Sequence, residues 1–108
     1  MNVGDVEMKM SDIEMLPMYP PYINGVQAIL DFGEYHLSIV KHEHSYGGPQ
    51  GKYEIGVFEA KDGLASGMVE LPGITQPGDT IKGFLADYEV DAILLKMTAI
   101  TGKEPTQV

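Results

Sequence analysis

The run Val26-Gln27-Ala28-Ile29-Leu30-Asp31-Phe32-Gly33-Glu34-Tyr35-His36-Leu37-Ser38-Ile39-Val40-Lys41-His42 decides the fold. Val26, Ala28, Leu30 and Phe32 alternate with Gln27, Ile29 and Asp31. Beyond Gly33-Glu34, Tyr35, Leu37 and Ile39 alternate with His36, Ser38, Val40 and His42. Successive side chains of a strand point to opposite faces, so each half reads as one strand with an apolar side. Two such runs joined by two residues, one of them glycine, predict an antiparallel hairpin.

The segments that follow extend this sheet. Ser45 to Gly51 carries three glycines and a proline and is expected to be a loop. Tyr53 to Ala60 reads as a third strand, with Gly56 the expected site of a bulge. Lys61-Asp62-Gly63 predicts a turn, Met68 to Leu71 a fourth strand, and Thr80 to Phe84 a short fifth strand after a Gly/Pro-rich loop. The period then changes. Val90, Ile93, Leu94, Met97 and Ile100 recur at helical spacing and draw one apolar stripe. Asp87 and Glu89 lie near the start and Lys96 near the end, as the helix dipole favours, and Gly102 is placed to cap the helix in the left-handed conformation. The fold class expected is therefore α+β: a four- to five-stranded antiparallel sheet with one C-terminal helix packed on one face.

Before the hairpin the chain has another character. Five of the seven methionines lie in the first 18 residues, followed by Pro17, Pro20 and Pro21. Val6, Met8 and Met10 alternate as a short strand would, Ser11 and Glu14 have capping-box spacing for one helical turn, and 17–22 should be extended. We read residues 1–22 as an extended N-terminal arm, 23–102 as the domain and 103–108 as a frayed tail. The methionines either patch one edge of the core or, with Tyr19 and Tyr22, offer an adaptable partner surface.

Composition narrows the function. The chain has 108 residues, a net charge of −9, no cysteine, and lysine as its only basic residue apart from three histidines. A disulfide framework and thiolate metal sites are excluded. Direct nucleic-acid binding is disfavoured, because it calls for a basic face and often for arginine forks. The acids are scattered among lysines rather than set in the dense rows of a nucleic-acid mimic. No apolar run approaches the roughly 20 residues that span a bilayer, and an acidic N-terminal segment is the wrong charge for a targeting signal.

Three constellations merit weighing. His42 and His44, with His36 further along, are metal candidates if one strand face carries them, though only weak ones. The loop Ser45-Tyr46-Gly47-Gly48 presents a tyrosine on glycine backbone that can offer bare amides to an anion, with Lys52 and Tyr53 beside it. There is no cysteine, no nucleophile elbow and no carboxylate pair with diagnostic spacing, so no catalytic residue, enzymatic activity or cofactor is expected.

The segments Phe32 to Val40, Ser45 to Gly48, Gly51 to Phe58 and Gly83 to Val90 together resemble a family of small uncharacterised bacteriophage proteins. The resemblance spans about residues 32–101. The chain departs from the family at Ala86, where a threonine able to cap the helix is usual, and in a longer loop from Leu71 to Gly78. The resemblance implies a phage product acting in the host cytoplasm and transfers no site residue. The function expected is non-enzymatic inhibition of a host protein, one of defence first among them, by occupying its surface. Sequestration of a signalling nucleotide is the first alternative, with Tyr46 and Tyr53 stacking a base while loop amides and Lys41 or Lys52 meet phosphate. A virion-associated structural role is the second. Self-association through open sheet edges or arm exchange is compatible with each.

Overall fold

The computed structural model describes residues 7–18 and 24–108. Its centre is the antiparallel sheet formed by β1 (Leu16–Pro17), β2 (Gly25–Asp31), β3 (Tyr35–His42), β4 (Tyr53–Lys61) and β5 (Leu64–Met68), in that order. A further strand, β6 (Ile81–Leu85), shares the outer edge of β4 with β5, and β7 (Thr106–Gln107) shares the outer edge of β2 with β1. The single α-helix among the described residues, α1 (Asp87–Thr101), completes the expected α+β architecture. No helix among the described residues is long and apolar enough to cross a membrane.

The register follows the alternation. Leu30 pairs with Leu37 and Leu37 with Val57, while Ala28 pairs with Ile39 and Ile39 with Ile55. These residues share one face, and Val90, Ile93, Leu94 and Met97 of α1 join them in the core. Burying each such side chain stabilises the fold by roughly 1.5–3 kcal/mol. Ile100, expected in the same stripe, lies in the last turn of the helix and is half exposed. Gly102 caps the helix at φ 69° as expected. At the other end Ala86 has no side-chain acceptor, and Glu89 supplies half a capping box by accepting the Ala86 N–H at 3.0 Å. Lys96 lies before the last turn, not within it, and its ammonium reaches toward the Gly73 carbonyl.

Several boundaries move for physical reasons. Asp62 and Gly63 both take positive φ, at 54° and 82°, giving a two-residue hairpin turn that sends the chain straight back beside β4. The fourth strand therefore begins at Leu64, earlier than the expected Met68 to Leu71. Leu71 instead starts a buried turn in which Thr75 accepts the Leu71 N–H through its hydroxyl at 3.0 Å. Gly56 does not bulge. It pairs regularly with Ser38 and Ile81, and its missing Cβ leaves room for the Met68 methyl, whereas the irregularities fall at Glu59/Ala60 and Tyr53/Ile55.

The N-terminal segment contributes Met10 and Ile13 to the core, with Met8 and Met15 packed against it, so the reading of these methionines as an edge patch accounts for their positions. Glu7 to Lys9 form no strand, and the helical turn is a 3-10 turn at Met10–Asp12 rather than one opened by Ser11. Asp12 caps it by accepting the Lys9 N–H. Val6, Tyr19 and Tyr22 lie outside the described residues. Residues 103–108, expected to fray, return to the sheet: β7 pairs with Leu30 and Asp31, and the Gln107 side chain accepts the Glu14 N–H at 3.0 Å.

The Asp91 carboxylate ties the first segment to the helix by accepting the Met10 N–H at 2.7 Å. A hydrogen bond to a charged group contributes roughly 1.5–3 kcal/mol, and alanine recovers a few tenths in helix propensity. Asp91→Ala is therefore expected to cost about 1–2.5 kcal/mol, measured as a lowered urea midpoint at unchanged slope.

Candidate functional site

The loop after β3 is held by its own backbone. Ser45 N–H donates to the His42 carbonyl, Gly48 N–H to Ser45, Gln50 N–H to Gly47, Gly51 N–H to Gly48 and Lys52 N–H to Gly47. Ser45 Oγ also accepts the His42 N–H at 2.9 Å. The Tyr46 N–H donates to Glu54 Oε1 at 2.8 Å. With these amides satisfied internally, the loop does not present the row of bare donors on which an anion cradle depends. Gly48 is required where it stands, since a Cβ there would collide with the His42 carbonyl oxygen and Ser45 Oγ.

What the loop does present is Tyr46. The Phe84 N–H of β6 donates to the Tyr46 carbonyl at 3.0 Å and docks the loop onto that strand. The approach is so close that a Cβ on Gly83 would overlap the Tyr46 side chain and lie 2.9 Å from its carbonyl oxygen. A Cβ on Gly47 would lie 2.9 Å from Phe84 Cα. The two glycines interlock, and the aromatic rings of Tyr46 and Phe84 stand side by side at 6.4 Å, tilted by 34°. Both remain open to solvent, Tyr46 at 58% and Phe84 at 52% exposure.

Phe84 holds its place at φ 58°, a conformation that costs an L-residue with a bulky side chain roughly 1–2 kcal/mol. Such strain persists only where the surroundings over-determine it, and it concentrates at binding and active sites. Here the result is an exposed aromatic pair on a rigid backbone. A shallow hollow of about 220 Å³ beside it is lined by Tyr46, Gln76, Asp79, Ile81, Lys82 and Phe84. Rigid aromatics presented at low entropic cost are the usual anchors of protein recognition.

The expected site residues separate accordingly. Tyr46, Gly47 and Gly48 come together as read, the glycines as packing devices. Lys52 is exposed on the same loop. Tyr53 is only 8% exposed and faces the core with Ile55 and Val57, its ring covered by the Lys41 ammonium at 5.0 Å from the centroid. It therefore cannot stack a base beside Tyr46. His42 and His44 do not share a strand face, because β3 ends at His42 and His44 lies in the turn. Their rings meet edge to face at 6.3 Å, and His42 Nδ1 accepts the His44 N–H. No group of three or more His, Asp or Glu side chains among the described residues is placed to hold a metal. His36 is buried against Asp31, with its Nε2 3.7 Å from Oδ1.

Phe84, Gly83 and Lys82 are the residues that sequence reasoning missed. The one available signal was a glycine directly before an aromatic residue in a short strand.

No family model matches the chain, and no curated protein or solved structure matches it either. The site must be read on its own geometry.

Glu54→Ala removes the acceptor of the Tyr46 N–H. The expected cost is about 0.5–1.5 kcal/mol, together with faster exchange of the Tyr46 amide in hydrogen-exchange NMR.

Proposed function

We propose that this chain is a non-catalytic binding protein that acts by covering the surface of a partner protein with the Tyr46–Phe84 platform. The observation that carries the reading is the strained backbone at Phe84, whose half-exposed ring stands beside the exposed ring of Tyr46. The charge of −9 suits a partner with a basic surface, approached under electrostatic attraction. The phage resemblance supplies the setting: a host protein in the bacterial cytoplasm, defence proteins included, inhibited by occlusion. This mode of action requires no nucleophile, metal or cofactor.

Nucleotide sequestration has less support. Tyr53 is buried and the N–H groups of Ser45, Tyr46, Gly48, Gln50, Gly51 and Lys52 are occupied, leaving Tyr46 and Phe84 with Lys82 as the only aromatic and cationic groups lining this hollow. Two experiments separate the readings. Immobilised wild-type protein is expected to retain one host protein from lysate, and a Tyr46→Ala/Phe84→Gly double variant of equal stability is expected to lose it. Native mass spectrometry of the chain with cyclic and linear nucleotides is expected to show the free mass alone. A stoichiometric nucleotide adduct would reverse the assignment.

A further inference from the structure

We infer that the outer face of α1 is a self-association surface, on which two copies of this chain pack their helices antiparallel through Tyr88, Ala92, Leu95 and Ala99. The core side of the helix is the stripe of Val90, Ile93, Leu94 and Met97. Directly opposite, at 100° per residue, lie Tyr88, Ala92, Leu95 and Ala99, all exposed, with Tyr88 at 74% and Leu95 at 49%. A helix with a single partner carries polar residues on its far side; one that is apolar on both sides has both sides covered. The spacing of four, three and four residues is that of a helix–helix seam.

The stripe is complementary to itself. About a two-fold axis midway between Ala92 and Leu95, Ala92 faces Leu95 of the second copy and Tyr88 faces its Ala99. Every layer thus sets a large side chain against a small one, the arrangement that lets facing helices interdigitate. Ala99 borders a hollow of about 200 Å³ lined also by Met8, Leu95 and Pro105, which receives the Tyr88 ring of the other copy. On one flank of the stripe stand Glu89 and Lys96. An antiparallel partner brings each lysine beside the other copy's glutamate. This charge pattern and the large-to-small pairing identify a second copy as the occupant.

The chain has no cysteine, so its register can be read by cross-linking. Wild-type protein is expected to sediment as a dimer that dissociates on dilution. Leu95→Glu and, separately, Ala99→Glu place charges in the seam without touching the core, and each should weaken the dimer at least about 100-fold, since both copies carry the change at the interface centre. Oxidising a mixture of Tyr88→Cys and Ala99→Cys proteins should give the mixed disulfide. Neither variant alone should cross-link, because like positions lie about 16 Å apart along an antiparallel pair. A monomer at every concentration overturns the inference, including the case in which a different protein covers the stripe. So does a dimer indifferent to both glutamates, which would point to edge-strand pairing, or efficient cross-linking of Tyr88→Cys with itself.

Discussion

Phe84→Gly is expected to leave the stability of the fold within about 1 kcal/mol of wild type while weakening partner binding at least about 30-fold. The two effects have separate causes. Glycine takes φ near 58° without the clash that Phe84 suffers, and this relief of strain is offset by the greater freedom of the unfolded chain and by the lost packing of a half-exposed ring. That ring is also half of the exposed pair with Tyr46, and truncating a central aromatic anchor costs a binding interface about 2 kcal/mol or more. Urea unfolding reads the first effect and a binding titration the second. A substitution that leaves a protein stable and disables it marks a residue held for function. If Phe84→Gly destabilises by more than about 2 kcal/mol, the ring is a packing element and the strain has another origin.

Gly83→Ala is expected to cost about 3 kcal/mol, the largest loss of stability among the substitutions considered. The added Cβ overlaps the Tyr46 side chain and crowds its carbonyl, where backbone stands on both sides. Relief requires the loop and β6 to separate, which lengthens the hydrogen bond from the Phe84 N–H to the Tyr46 carbonyl and removes the contact between the rings. A urea titration is expected to show the lowered midpoint. Amide exchange at Phe84 should accelerate by a larger factor than exchange at Leu37 or Ile39 in the centre of the sheet, because the opening is local. Uniform acceleration would mean that the clash is absorbed by the whole fold and that no local lock exists.

The parts of this fold that were legible in the sequence were the periodic ones. The alternation on either side of Gly33-Glu34 gave β2 and β3, and the spacing from Val90 to Met97 gave the helix. Gly102 marked its end, since few other residues accept φ near 69°. The burial of Tyr53 was legible too, because it alternates in step with Ile55 and Val57; its nearness to the glycine loop suggested exposure instead. The start of β5 followed from turn chemistry that outweighed the apolar pattern around Val69 and Leu71. His44 was misplaced for a different reason: a spacing of two residues places side chains on one face only while the strand lasts, and β3 stops at His42.

The platform itself was half legible. Tyr46 on its glycine loop stands out in the sequence, but its partner does not. The meeting of Tyr46 with Phe84 is a long-range contact between a loop and a short strand, and no local pattern encodes it. Nor does a phenylalanine between Gly83 and Leu85 reveal that its backbone will be left-handed, since propensity argues the opposite. Only the close approach of the loop and β6, which admits no Cβ at Gly47 or Gly83, fixes that geometry.

Site-specific photocross-linking tests the central claim most directly. A benzoylphenylalanine in place of Tyr46, exposed and ring-bearing, keeps the Tyr46 backbone bonds, and the same residue at Leu64, on the open edge strand β5, serves as the control. In bacterial cells producing the protein the Tyr46 position is predicted to give one discrete adduct with a single protein, while the Leu64 position gives none with that protein. An adduct with the same protein from Leu64 but not from Tyr46 would place the binding surface elsewhere and contradict the account.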